Sequence, residues 1–262
     1  MGRSLQAAFS SHEISSLDHA TLDITSLDAV RHACAAFHPE IVINAAACNN
    51  VDRAETDATA AYLVNALGPR NLAIAAAESG AAVLHVSTDY VFDGTNAEPY
   101  HEYDQPNPLS VYGRSKLAGE EAAAAANPRC YIVRTALLYH EEGTNFPTRM
   151  LEQREKPMVR VVNDQFGSPT YAPHLAEAIG KLITSDAYGI YHFAGSGGAS
   201  MFEWTRELYR LFRIETPIVP VTAAEFPRPA VRPAHSILTT IQDPRIVLPP
   251  WQEGLAEFAR KR

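Results

Sequence analysis

Three short apolar runs, separated by helical segments, constrain the fold of this chain more than any other feature. They are rich in β-branched and aliphatic residues, as in strands buried on both faces of a sheet, and they cover residues 41–43, 82–86 and 131–134. Helices are predicted at residues 26–37, 57–79 and 112–126, the second with an optional break at Gly68-Pro69. Strand and helix therefore alternate along the chain. This alternation predicts parallel crossovers and an α/β, doubly wound sheet, in which ligands bind outside the carboxyl ends of the strands.

The second part of the chain has a looser pattern. Five prolines lie between positions 217 and 233, namely Pro217, Pro220, Pro227, Pro229 and Pro233. Helices remain predicted at residues 173–184 and 201–212, and a short one after Pro250-Trp251. We expect residues 1–141 to form the sheet core. Residues 142–262 should form mainly a smaller lobe that covers the ligand cleft, with some segments returning to the core.

Composition and charge narrow the class of protein. The 262 residues are 46% hydrophobic, which suffices for one large core, and the net charge of −8 offers no surface for nucleic acid or anionic lipid. The N-terminus has no basic region followed by an apolar one, so we expect neither export nor a membrane anchor. Cys34, Cys48 and Cys130 are widely spaced, which predicts neither disulfides nor a zinc site and favours a cytoplasmic location.

Two strand ends carry residues suited to binding. After the first apolar run come Asn44, Ala45, Ala46 and Ala47, whose small side chains would let a flat ligand approach the backbone. A tight turn that prefers small residues is the alternative. After the second run, Ser87, Thr88 and Asp89 open the segment STDYVFDG and could hold a carbonyl oxygen. On composition alone, local capping of a turn by these three side chains is the better explanation.

Tyr112 and Lys116 stand four residues apart at the start of the Ala-rich helix, so both side chains share one face. A phenol ionises near pH ~10, and a neighbouring ammonium favours the phenolate and brings the group toward a useful range. Lys116 would supply that charge. Taken alone the spacing is a weak signal, and a surface pair would explain it.

Thr88, Tyr112 and Lys116 follow in this order on successive crossovers of one sheet. In this the chain resembles the extended short-chain dehydrogenases. More closely, it resembles the dTDP-4-dehydrorhamnose reductase family. The matching segments are STDYVFDG at 87–94, VYG through KLAGE at 111–120, NDQFGSPT at 163–170, and Arg232-Pro233 followed by Ser236 and Leu238. The resemblance runs from Gly2 to slightly beyond Gln252, which is nearly the whole chain.

The resemblance implies a reaction and roles for individual residues. Members reduce the C4 ketone of a dTDP-6-deoxysugar with NADPH or NADH. Thr88 would orient the carbonyl, Tyr112 would be the general acid, and Lys116 would tune the tyrosine and hold the nicotinamide ribose. Residues 1–141 would bind the dinucleotide and 142–262 the nucleotide-sugar. Further substrate contacts are implied for Asp89, Leu137, Gln165 and Arg232.

The implied cofactor contacts lie mainly near the N-terminus: Gly2, Asp18, Asp23, Ile24, Ala45, Ala46, Ala47, Tyr112 and Lys116. Asp18 would end a second strand at residues 13–17. An acidic residue there accepts hydrogen bonds from a ribose 2′-hydroxyl and repels a 2′-phosphate, which favours NADH slightly. Asp18 and Asp23 are alternatively turn or helix caps. No side-chain cluster has metal-ligand spacing, so no metal is expected.

The chain departs from the family at its start. The family opens with a strand and a glycine-rich turn that cradles the pyrophosphate, whereas Met1-Gly2-Arg3 matches only the third glycine and the first turn of the following helix. We therefore expect the first strand of the sheet and two glycines to be missing from this sequence, because of a start codon placed too far downstream or an N-terminal trim. A natural loss with altered function is the third option.

Three alternatives stay open. Leu137 stands where rhamnose-forming members often carry an aromatic residue, so the substrate could be a different dTDP-4-keto-6-deoxysugar. Regulatory subunits of methionine adenosyltransferase share the segment VFDGTN, which would make the chain non-catalytic. Epimerases and dehydratases share Tyr-x-x-x-Lys, but the dehydratases place a Glu after the Asp where Tyr90 stands here. The expected partner is a nucleotide-sugar, and a homodimer is a possible assembly.

Overall fold

The computed structural model describes all residues from 1 to 262 and contains ten α-helices and ten strands. The strands are β1 Ile41–Asn44, β2 Ala82–Thr88, β3 Cys130–Thr135, β4 Leu138–Tyr139, β5 Val159–Val162, β6 Phe166–Gly167, β7 Thr170–Tyr171, β8 Gly189–His192, β9 Ala199–Ser200 and β10 Ile218–Val221. The helices are α1 Gly2–Ala8, α2 Leu27–Phe37, α3 Val51–Thr56, α4 Ala58–Tyr62, α5 Gly68–Glu78, α6 Val111–Ala126, α7 Phe146–Glu152, α8 Ala172–Leu182, α9 Met201–Phe212 and α10 Trp251–Lys261.

The central sheet has four parallel strands in the order β1-β2-β3-β8. Successive residues of a strand point to opposite faces, so β2 and β3 contribute to two cores. Leu84 and Val133 pack beneath α1 and α8, whereas Val83 and Ile132 pack beneath α5 and α6. Helices therefore cover both faces. This arrangement confirms the predicted α/β, doubly wound Rossmann-type sheet.

Most predicted elements are confirmed, with shifts of one or two residues at their ends. The three apolar runs are β1, β2 and β3, and α9 has the predicted bounds. The helical stretch predicted at 57–79 does not break at Gly68-Pro69, because a π-helical turn at Leu63–Leu67 leads directly into α5. Pro69 is in the first turn of α5, where the fixed φ of proline is compatible with a helix.

One predicted strand is wrong. Residues 13–17 form no strand, and Ile14 and Leu17 are 42% and 47% exposed. A strand needs a neighbour that accepts and donates its ladder hydrogen bonds, and this segment has none. At that side of the sheet β1 pairs with β2 alone. Conversely, β8 was not predicted, and it comes from the second part of the chain to complete the sheet.

The rest of the second part forms three two-stranded ladders, β5 with β10, β4 with β7, and β6 with β9. Their core is aromatic: Trp204, Tyr139 and Phe258 pack with Leu208 and Leu255 between α9 and α10. The segment 235–242 returns to the sheet, where the buried carboxylate of Glu102 accepts hydrogen bonds from Thr240 Oγ1 and the Ile241 N–H. None of the helices is long and apolar enough to cross a membrane.

Candidate active site

The carboxyl end of β2 and the first turn of α6 form the centre of the site. The Ser110 hydroxyl caps α6 by accepting from the Gly113 N–H at 3.1 Å. A Cβ atom at Gly113 would lie 2.2 Å from the Tyr90 carbonyl oxygen, so only glycine permits this approach of helix and strand end. The close approach sets Tyr112 beside the turn that follows Thr88.

The Thr88 hydroxyl lies close enough to the Tyr112 hydroxyl to influence its pKa, and the Tyr112 ring meets that of Tyr90 edge-on at a centroid distance of 5.5 Å. The sequence predicted that Lys116 lowers the pKa of Tyr112. In the structure, burial raises that pKa, and the hydrogen bond with Thr88 opposes the rise. Lys116 does not offset the effect of burial, because its Nζ is directed to other partners.

Lys116 is 1% exposed and lies beneath the edge of the sheet. Its Nζ donates to the Val86 carbonyl oxygen at 2.7 Å and lies 3.1 Å from His85 Nε2. Burial lowers the pKa of Lys116 to about 8, and the carboxylate of Glu120 opposes the shift. The amine thus titrates closer to neutrality than an ordinary lysine, and a pKa near neutrality suits a group that takes part in proton chemistry.

Asp89 connects the site to the second part of the chain. Its carboxylate accepts from Ser236 Oγ at 2.6 Å and from Thr88 Oγ1 at 3.1 Å, and the residue is 3% exposed. Burial raises the pKa of Asp89 to about 6, although both hydrogen bonds act against the rise. Asp89 therefore holds the 235–242 segment against the end of β2.

Leu137, implied as a substrate contact, lies between β3 and β4 with a φ of 45°. A bulky residue rarely adopts this left-handed conformation, and such strain persists where the surroundings fix it. Its side chain packs on Gly167, where a Cβ would lie 2.9 Å from Leu137 Cδ1. Gln165 is half-buried in the connection between β5 and β6.

Arg232 is half-buried and already has a carboxylate partner. Its guanidinium donates to Asp52 Oδ2 at 3.0 Å and to the Ala230 carbonyl oxygen at 3.2 Å, and it also contacts the Tyr90 hydroxyl. The pKa of Asp52 is lowered chiefly by this hydrogen bond. The structure thus brings Arg232 to the Tyr90 side of the site, beside Tyr112.

The predicted cofactor contacts divide into two groups. Ala45, Ala46 and Ala47 are exposed at the carboxyl end of β1, next to the end of β2. Gly2 opens α1, but a Cβ there would meet nothing within 4 Å, so packing does not require glycine. Ile24 packs on Gly68 of α5, and its carbonyl accepts from Asn71 Nδ2.

Asp18 and Asp23 follow the capping alternative. Asp18 Oδ1 accepts from the N–H groups of Ala20 and Thr21 and from the Thr21 hydroxyl. Asp23 Oδ1 accepts from the Thr25 N–H and hydroxyl at 2.9 and 2.7 Å. In each carboxylate one oxygen, Oδ1, is engaged with its own turn, and these hydrogen bonds lower the pKa of both groups, so both stay negatively charged. The slight preference for NADH that Asp18 implied stays a prediction.

Two buried polar groups beside the site were not predicted. One is His85 on β2. The other is an ion pair in which Arg134 Nη2 donates to Glu120 Oε2 at 2.7 Å, while the Ser87 hydroxyl also donates to Glu120. The sequence could have indicated them, because His85 and Arg134 interrupt the otherwise apolar strands β2 and β3. Nowhere do three His, Cys, Asp or Glu side chains group as metal ligands would.

Comparison with known proteins identifies the lineage of this site. The model of the RmlD substrate binding domain family matches residues 1–262. The spore coat polysaccharide biosynthesis protein SpsK of Bacillus subtilis (strain 168) is 38% identical over 254 residues, which cover 96% of this chain and 89% of that protein. A dTDP-4-dehydrorhamnose reductase of Mycobacterium tuberculosis (strain ATCC 25618 / H37Rv) is 40% identical over 262 residues, covering 96% and 86%.

Among solved structures, dTDP-4-dehydrorhamnose reductase from Bacillus anthracis str. Ames, in complex with NADP, superposes with a TM-score of 0.97. It is 36% identical, and the match covers 100% of this chain and 95% of that one. Sequence and fold therefore agree along the length of the chain.

Proposed function

Since the chain belongs to the RmlD substrate binding domain family, we propose that it is an NAD(P)H-dependent dTDP-4-dehydrorhamnose reductase. It reduces the C4 ketone of dTDP-4-dehydro-6-deoxy-L-mannose to give dTDP-L-rhamnose. The observation that carries the proposal is the convergence of Thr88, Tyr112 and Lys116 at the carboxyl edge of β2, in a chain 40% identical to a named reductase.

Tyr112 donates its proton to the oxygen that becomes the C4 hydroxyl. A phenol whose pKa burial has raised is protonated at neutral pH, so it enters the reaction as an acid. Thr88 hydrogen-bonds the same oxygen, and Lys116 supplies positive charge one helical turn away when it carries its proton. The reduced dinucleotide, when bound, supplies the hydride that adds to C4.

The exposed alanines after β1 fit a dinucleotide, because Ala45, Ala46 and Ala47 leave the backbone accessible beside the end of β2. Gly2, Ile24, Tyr112 and Lys116 would complete its contacts. Asp18 and Asp23 keep their negative charge while they accept from their own turns, because these hydrogen bonds lower the pKa of both carboxyls. The NADP in the Bacillus anthracis relative supports NADPH, whereas an acidic residue near the adenine ribose supports NADH.

The second part of the chain, residues 142–262, binds the nucleotide-sugar in this proposal. Arg232 is the residue for the pyrophosphate, because its planar fork of donors matches phosphate oxygens. Asp52 holds that fork in place at 3.0 Å. Asp89, Leu137 and Gln165 surround the sugar. Leu137 cannot stack on a sugar ring as an aromatic residue would, which leaves a related 4-keto-6-deoxysugar as the second candidate substrate.

The other two alternatives are not favoured. The relatives above include two named reductases, and the chain retains Thr88, Tyr112 and Lys116, which a regulatory subunit of methionine adenosyltransferase would not need. Dehydration would need a second acid after Asp89, where Tyr90 stands. Three free cysteines fit a cytoplasmic enzyme.

A second copy of the chain is the partner we propose for an apolar surface on the α6 side of the sheet. This surface, the α4–α6 face, is lined by Tyr62, Leu63, Ala66, Ala118 and Ala122. Tyr62 and Leu63 are 39% and 43% exposed there. Small and apolar side chains on two neighbouring helices suit a twofold homodimer, in which each copy presents the same patch.

The reductase proposal is tested by following cofactor absorbance at 340 nm with dTDP-4-dehydro-6-deoxy-L-mannose and either NADPH or NADH. Tyr112→Phe should lower kcat by at least about 10²-fold, because the general acid is lost while the ring still packs on Tyr90. Tyr103→Phe is the matched control: Tyr103 is 71% exposed and should retain wild-type turnover. Full activity of Tyr112→Phe would refute the assignment.

A further inference from the structure

A column of three buried polar side chains runs beneath the site, from β1 through β2 to α6. Asn44, His85 and Lys116 are 3%, 0% and 1% exposed. Asn44 Nδ2 lies 2.9 Å from His85 Nδ1, and His85 Nε2 lies 3.1 Å from Lys116 Nζ. A buried column of this kind must match each donor with an acceptor, so its protonation states are constrained together.

The orientation of the Asn44 amide is fixed from outside the column. Its oxygen Oδ1 accepts the Ala46 N–H at 3.0 Å, and a backbone N–H can only donate. The NH₂ group of Asn44 is therefore the end that faces His85. His85 Nδ1 accepts a hydrogen bond and carries no proton.

The state of the imidazole follows from its burial. Burial, with a smaller contribution from the charge of Lys116, holds the pKa of His85 well below its usual range, so the ring is neutral. A neutral imidazole has one N–H group, and Nδ1 is excluded. The proton is consequently on Nε2, where it points at the Lys116 nitrogen.

An Nε2–H group and an ammonium are both donors, and an ammonium has no lone pair with which to accept. A neutral amine resolves the conflict: its lone pair accepts the His85 proton while one of its own N–H bonds donates to the Val86 carbonyl at 2.7 Å. We propose that His85, its tautomer fixed by Asn44, is a positioning residue that favours the neutral amine of Lys116 and so makes this lysine easier to deprotonate than an exposed one.

This inference deepens the proposed function, on which its catalytic meaning rests. Negative charge that enters the site favours the ammonium form of Lys116 and acts against the contact with His85. The groups facing Lys116 are Tyr112 and Glu120 on its own helix and His85 on β2. Glu120 opposes the column because its carboxylate favours the ammonium. Arg134 neutralises that carboxylate at 2.7 Å, which limits its effect.

The first measurement is the tautomer of His85 in the free wild-type chain. Long-range ¹H–¹⁵N correlation spectra of histidine-labelled protein distinguish a protonated ring nitrogen from a bare one, and the His85 signals are assigned by their loss in His85→Gln. We expect Nε2 protonated and Nδ1 bare at pH 7, with no titration of the ring between pH 6 and 9. An Nδ1–H tautomer, or an imidazolium, would overturn the proposal.

The second measurement is the titration of Lys116, followed through its ¹³Cε signal. In His85→Gln the amide can turn its oxygen toward Nζ and accept from an ammonium, so the Lys116 titration should move upward by about one pH unit or more. His174→Gln is the matched control. The His174 side chain is also largely buried, at 10% exposure, but its ring contacts Glu257 on α10, so this change should leave Lys116 unmoved. An unchanged titration in His85→Gln sinks the proposal.

Neither measurement requires cofactor or turnover, so each can fail while the reductase assay succeeds, and the reverse. With an active reductase, the pH profile adds a third result. The alkaline limb of kcat/KM should move upward in His85→Gln by the same interval as the Lys116 titration. A profile that stays fixed while Lys116 shifts would mean that Lys116 does not control the reaction.

Discussion

Asp89 and Asp93 lie in one segment, and their surroundings change the acidity of the two carboxyls in opposite directions. Burial raises the pKa of Asp89 from 3.8 to about 6. Asp93 is more exposed and accepts from Asn107, Thr95 and Tyr100, and these bonds, that from Asn107 foremost, lower its pKa to about 2. Charge at Asp89 therefore costs stability, whereas charge at Asp93 adds to it.

The sign of the pH dependence follows. Between pH 4 and 6 the folded state holds the Asp89 proton and the unfolded state does not, so stability from this group is complete at low pH and is lost as pH rises through about 6. Asp89→Asn removes that loss. Relative to the wild type, the free energy of unfolding of the variant should rise by about 2–3 kcal/mol between pH 4 and pH 7.5.

Urea denaturation at both pH values measures the difference. Asp93→Asn is the opposite control. Its wild-type carboxylate stabilises the fold above pH ~4, so this variant should be less stable than the wild type at neutral pH. If Asp89→Asn shows the same pH dependence as the wild type, the carboxyl is not the buried, destabilising charge described here.

At the scale of elements, α6 packs closely against the π-helical turn because Gly119 has no side chain. A Cβ at Gly119 would lie 2.0 Å from the Asn65 carbonyl oxygen, a backbone atom that cannot move aside alone. Gly119→Ala should therefore destabilise the protein by about 1–3 kcal/mol, even though alanine favours an isolated helix by ~1 kcal/mol.

Gly180 in α8 offers the matched comparison. A Cβ there would meet only the Phe9 ring at 3.7 Å, an ordinary contact. Gly180→Ala should raise the free energy of unfolding by up to about 1 kcal/mol through helix propensity. Thermal and urea unfolding of both variants measure these changes in the free energy of unfolding. A neutral or stabilising Gly119→Ala would mean that α6 is not packed as closely as the structure has it.

The same scale explains which elements could be predicted. Continuous apolar runs gave β1, β2 and β3, and the Ala-rich α6 was equally clear, because each signal lies within one segment. The strand β8 is only four residues, GIYH, and opens with a glycine at φ 148°. For residues 13–17 the error was the reverse. The sequence pattern predicted a strand, but no strand forms because no neighbouring strand pairs with this segment. Pairing is a property of two segments, so a pattern in one cannot settle it.

At the scale of the whole molecule, the site is assembled from distant parts of the chain. Thr88, Tyr112 and Lys116 could be proposed from order and spacing, because they lie on successive elements of one sheet. The link between Arg232 and Asp52 spans 180 positions, and that between Ser236 and Asp89 spans 147. No local pattern encodes such pairs. Asp18 and Asp23 show the opposite problem, because the sequence cannot tell whether a short carboxylate binds a ligand or accepts from N–H groups of its own turn.

The proposed homodimer belongs to this largest scale and gives the last prediction. A twofold interface uses each residue twice, so one substitution in the α4–α6 face removes two contacts. Leu63→Asp, if it costs about 1.4 kcal/mol per copy, should raise the dimer dissociation constant about 100-fold. Val247→Asp is the control, because Val247 is exposed apolar surface elsewhere, at 59% exposure.

Sedimentation equilibrium over a concentration series measures both constants against the 28.6 kDa mass of one chain. We expect the wild type and Val247→Asp to associate alike, and Leu63→Asp to shift toward monomer. A wild type that stays at the mass of one chain at every concentration would refute the dimer. Equal association of all three would instead place the interface on another face. Neither result would contradict the reductase assignment, since Thr88, Tyr112 and Lys116 all come from one chain.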